Sequence, residues 1–113
     1  MLDTTSLTAA TDRFADRLRT APQSRLQRGA AAAALALARE LSVRAQRLEA
    51  LAAPGGTPVE EPRIMPDAGV FAVADQLTVA AADLAEALRT APSGGELDEA
   101  VRSVERTVAE ARL

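Results

Sequence analysis

The sequence predicts an all-α protein: an antiparallel four-helix bundle made of two tandem helical hairpins joined by a proline-rich linker. Three observations carry that expectation. The chain partly repeats itself, with SLTAATDRFADRLRTAP at 6–22 returning as QLTVAAADLAEALRTAP at 76–92. Its apolar content is dominated by 27 Ala and 14 Leu, with only two Phe and one Ile. Such a core suits closely packed helices and suits a sandwich of strands badly. Finally, apolar residues recur every three or four positions along most of the chain, which is the helical period.

The first helix is expected over about 4–20, with Leu7, Ala10, Phe14, Leu18 and Ala21 on one face and Asp3 or Thr4 as N-cap. Pro22 disfavours helical geometry at Ala21 and ends it. The second runs over about 24–52 on a stripe of Ala30, Ala34, Leu37, Leu41, Ala45, Leu48 and Ala52. Gly29 weakens its first turns by ~1 kcal/mol relative to Ala, and one reading is a close backbone contact there. Residues 54–66 hold Pro54, Pro58, Pro62 and Pro66 with two glycines, which excludes a helix interior and marks a linker. Val59, Ile64 and Met65 make that linker less polar than an ordinary spacer.

The third helix is expected over about 68–91 with Asp67 as N-cap, on a stripe of Val70, Ala74, Leu77, Ala81, Leu84, Leu88 and Ala91. The fourth runs from near Gly95 to about Arg112 through Leu97, Val101, Val104 and Val108. Ser93 followed by Glu96 fits a capping box. The whole, 1–113, reads as one domain: a hairpin over about 4–53, the linker 54–66, and a second hairpin over about 67–113. Short LRTAP turns would make each hairpin antiparallel, and the linker would join opposite ends of the inner helices in an up-down-up-down bundle. The longer inner helices would then overhang, leaving Leu48, Leu51, Val70 and Phe71 bare unless Ile64 and Met65 or another molecule cover them.

Composition narrows function mainly by exclusion. There is no His, Cys, Lys or Tyr to serve as nucleophile or general base, and no glycine-rich phosphate loop followed by Lys. Catalysis is therefore not expected, and no cofactor or metal is called for. Glu60, Glu61 and Asp67 lack the alternating spacing of an oxygen-ligand cation site. The opening MLDTTSLTAATDRF lacks a basic start followed by an apolar run, and no apolar stretch reaches the ~20 residues that span a bilayer. A cytoplasmic protein without a membrane partner is the expectation.

Arg25, Arg28, Arg39, Arg44 and Arg47 fall within an arc of about 160° on the second helix, opposite its apolar stripe. Such a stripe meets phosphates or an acidic partner, or it is neutralised within the molecule. The formal net charge is −3, and the basic first half faces an acidic second half. That balance favours internal neutralisation over nucleic acid. Ala31, Leu35 and Ala38 form a second low-profile face suited to a helix–helix contact between protomers. The expected function is a non-catalytic interaction module (adaptor, regulator or assembly component), homodimeric and binding a protein partner. Its candidate contacts are Arg25, Arg28, Arg39, Arg44, Arg47, Leu35, Leu48, Leu51, Ile64, Met65 and Phe71. A bundle that holds a small ligand between its hairpins is the alternative, and a nucleic-acid-associated regulator a third.

Overall fold

Helical periodicity in the sequence becomes helix throughout the computed structural model, which describes residues 2–58 and 60–113. Val59 lies outside the described residues. Helix α1 is Thr5–Thr20, α2 is the single turn Gln23–Arg25, α3 is Ala31–Ala52, α4 is Val73–Thr90 and α5 is Gly94–Ala111. A widened turn, Leu26–Ala30, connects α2 to α3. Four of these helices have at least four turns, and no strand occurs among the described residues.

The boundaries follow local chemistry. The Asp3 carboxylate accepts the Thr5 N–H at 2.9 Å, satisfying one of the free donors at the start of α1. At the other end Ala21 is extended, as its position before Pro22 requires. Gly29 has φ +140°, outside the range that an L-residue adopts without strain. A Cβ built there meets nothing within 4 Å, so the glycine serves a backbone bend and not a close approach. Helix α4 begins five residues later than the sequence predicts. Asp67 caps a turn instead, accepting the Gly69 N–H at 2.9 Å, and Gly69 at φ +96° breaks the helical path. Ser93 does cap α5, its hydroxyl accepting the Glu96 N–H at 3.1 Å.

Packing is densest between α3 and α4, with α4 also resting on α1, and α5 bridging α1 and α3. The helices joined by the LRTAP turns are not among these principal contacts. Leu7, Phe14, Leu41, Leu77, Leu84, Leu88 and Val104 are fully buried between the four helices. Each large side chain so buried contributes about 1.5–3 kcal/mol. Ala34, Ala38, Ala80, Ala81 and Ala100 fill the close crossings between them.

The linker corrects the expected chain direction. The Gln46 side chain grips the backbone of Arg63 on both sides, donating to its carbonyl and accepting its N–H, each at 2.8 Å. Arg39 Nε donates to the Met65 carbonyl at 2.7 Å, and Gln76 Nε2 to that of Pro66 at 2.8 Å. Residues 63–70 therefore run back along α3, from Gln46 past Arg39 towards the helix start. Ala31 and Leu35 share a hollow with Val70 and Val73, while Ala45 and Gln46 share one with Asp83. Helices α3 and α4 thus run side by side in the same sense, and the up-down-up-down order does not hold. Prolines make the return possible: an extended chain covers about 3.1 Å per residue, enough to retrace a helix that rises ~1.5 Å per residue.

Doubling back also changes which faces are free. Ala31, Leu35 and Ala38 are buried within the chain, so they offer no low-profile face to a second protomer. Leu48 is half-buried, whereas Leu51, Ile64 and Phe71 are 56%, 59% and 79% exposed.

Candidate interaction groove

One open trough gathers much of the predicted surface. Its floor is Ala36, Val43, Leu48, Leu51 and Ile64, and its sides are Arg39, Arg44 and Arg47 facing Glu96 and Glu99, with Glu40 between. Successive turns of α3 supply the floor and the arginines, because residues three or four apart on a helix share a side. The returning linker supplies Ile64. The first turn of α5 supplies the two glutamates, at a place fixed by the Ser93 cap.

Arg44 is the electrostatic centre of this trough. Its Nε donates to Glu40 Oε2 at 3.0 Å, and its Nη1 to Glu96 Oε1 at 3.0 Å and Glu99 Oε2 at 3.2 Å. Burial works against the charge on this guanidinium, but the three carboxylates outweigh it and hold its proton more firmly than usual. The side chain is only 20% exposed. Arg44 therefore ties α3 to α5, as the neutralised reading of the stripe expects. Arg39 is also engaged, through the Met65 carbonyl. Arg47 is exposed and makes no ion pair among the described residues.

The remaining predicted residues lie elsewhere. Leu35 is buried, and Met65 is half-buried in the neighbouring hollow with Ser42, Ala45 and Gln46. Arg25 and Arg28 sit at the opposite end of the helix, beside Glu110, Ala111 and Arg112. Phe71 follows Val70, which lies against the start of α3, so Phe71 and Leu51 belong to opposite ends. Sequence reasoning overlooked Glu96 and Glu99 as a wall of the trough. Their i,i+3 spacing after a helix cap was visible, but their partner on α3 was not.

Other charged groups pair along the surface: Arg19 with Asp16 and Asp75, and Arg89 with Glu86. Among the described residues no three His, Cys, Asp or Glu are grouped to hold a metal ion, and no helix is long and apolar enough to cross a membrane. No family model, curated protein or solved structure matches the chain.

Proposed function

We propose that the chain is a non-catalytic interaction module, an adaptor or assembly component, that pairs with a second copy of itself through the α3–α5–linker trough. In this reading the two LRTAP segments join two related pairs of helices, each pair packing mainly on the other and not on itself, and the linker is kept to build the trough between them. The observation that carries the reading is the exposure of Leu51 and Ile64, both above one-half, in the same trough as Leu48 and the free Arg47.

Self-pairing suits the chemistry of the walls. One side is basic and the other acidic, so a two-fold partner would set its Glu99 side against Arg47 and its Leu51 against Leu51. A stable pairing would have to bury roughly 800 Å² on each copy, which extends beyond the trough floor onto the linker.

Native mass spectrometry from low to high micromolar concentration tests this reading, with sedimentation equilibrium as a check. The expected result is a dimer that Leu51→Glu and Ile64→Glu each convert to monomer while the helical circular-dichroism signal stays intact. Wild-type protein that stays monomeric throughout would overturn self-pairing. So would a dimer that both variants leave unchanged.

A further inference from the structure

At the opposite end of α3, Arg25, Arg28 and Arg112 line one open hollow of about 500 Å³ with Gly29, Ala30, Ala111 and Glu110. None of the three guanidiniums makes an ion pair among the described residues, although the Glu110 carboxylate borders the same hollow. Arg19, Arg44 and Arg89 pair with carboxylates, whereas other arginines such as Arg47 also make no ion pair among the described residues. What sets Arg25, Arg28 and Arg112 apart is the hollow they share. Three unpaired arginines beside one carboxylate, in a chain of net charge −3, make a local positive field against the trend of the molecule.

Backbone irregularities fall at the same place. Gly29 at φ +140° bends the chain one residue after Arg28, and Arg112 adopts a left-handed conformation, φ +53° and ψ +43°. The first is a bend that glycine allows and the second the left-handed cap that ends α5, and together they bring arginines of two separate segments to one hollow.

We infer that this hollow is an anion site for a diphosphate group, held by Arg25, Arg28 and Arg112. A guanidinium offers planar, paired N–H donors that match phosphate oxygens two at a time. Three of them suit a group with two phosphates better than a single carboxylate. The size of the hollow accommodates the group, and the charge of a diphosphate has to outweigh that of Glu110 at its edge. The site is independent of the trough and of self-pairing.

The test is a titration of ¹⁵N-labelled protein with inorganic pyrophosphate in metal-free buffer, at ionic strength held constant with sodium chloride. Saturable shifts confined to the amides of Arg25, Arg28, Gly29, Ala30 and Arg112 are expected. Arg28→Gln and Arg112→Gln should each weaken binding about tenfold or more, as loss of a charge-assisted donor pair does. Arg89→Gln, at a distant paired arginine, should leave it unchanged. A parallel titration with ADP distinguishes the source: tighter binding than pyrophosphate assigns the diphosphate to a nucleotide, and equal or weaker binding to the free anion. Shifts spread over all the arginines, binding insensitive to both hollow variants, or no saturable shift at all would overturn the site.

Discussion

Helices α1 and α4 carry the same motif seventy positions apart, yet they live in different surroundings. Leu7, Ala15 and Leu18 in the first are buried, as are Leu77, Ala85 and Leu88 in the second. The shared pattern therefore encodes one shared buried face. The difference lies on the neighbouring side. Ala80 and Ala87 are buried in α4, whereas their counterparts are the half-buried Ala10 and the exposed Arg17. Each helix packs on two others, but α4 meets α3 far more closely than α1 meets α5, and α1 keeps a charged side. A repeat thus supplies a helix with a face, and substitutions at a few positions decide how closely a second neighbour packs.

Exchanging residues between the copies tests this directly, and Ala87→Arg should have the largest effect. It places the charge of Arg17 where α4 meets its neighbours, at a site only 3% exposed. A buried, unpaired guanidinium costs about 3 kcal/mol, reduced where the long side chain can reach water. Urea unfolding should show that loss, while the reverse exchange, Arg17→Ala, should change stability by less than about 0.5 kcal/mol. Similar small effects for both would refute the closer packing of α4. Phe14→Leu, which gives α1 the residue α4 has at Leu84, comes next. Phe14 is 1% exposed, and the lost ring volume should cost roughly 1–2 kcal/mol in the same assay.

The second helices of the two copies differ at their starts. Ser93 caps α5, but its counterpart Gln23 follows Pro22 and no side chain caps α2. Ser93→Ala should therefore cost about 1 kcal/mol, with amide exchange faster over the first turn of α5. Gln23→Ala should leave both stability and exchange nearly unchanged. Equal effects would remove the asymmetry between the turns.

These contrasts also mark what the sequence could disclose. Helix periods, the proline breaks and the Ser93 cap were legible because each depends on residues within four positions of one another. Linker direction was not, because it rests on Gln46 and Arg39 holding backbone atoms 17 and 26 residues away. Prolines say that a segment is extended, but not which way it runs. That single unknown misplaced Leu35, whose face the return of the chain covers, and put Phe71 at the wrong end. Arg39, Arg44, Arg47, Leu48 and Leu51 line one trough because they follow one another along α3, although the helical wheel set the arginines opposite the stripe that holds Leu48. Ile64 joined them only through the fold.

The smallest expected effect concerns the ion pair between α1 and α4. Arg19 Nη2 donates to Asp75 Oδ1 at 2.8 Å, and this carboxylate is the chief reason that the guanidinium holds its proton more firmly than usual. The position equivalent to Asp75 in the first copy is Thr5, so the mirrored Arg89 turns instead to Glu86 on its own helix. Both partners are well exposed, 44% for Arg19 and 77% for Asp75, so solvent and salt screen the attraction. Asp75 has a second role, since it stands in the first turn of α4, where a negative charge favours the helix N-terminus. Asp75→Thr should consequently lower the melting midpoint only slightly, and by the same amount in wild-type protein and in the Arg19→Gln background. An effect that disappears in the Arg19→Gln background would show instead that the ion pair, and not the helix terminus, fixes the two copies against each other.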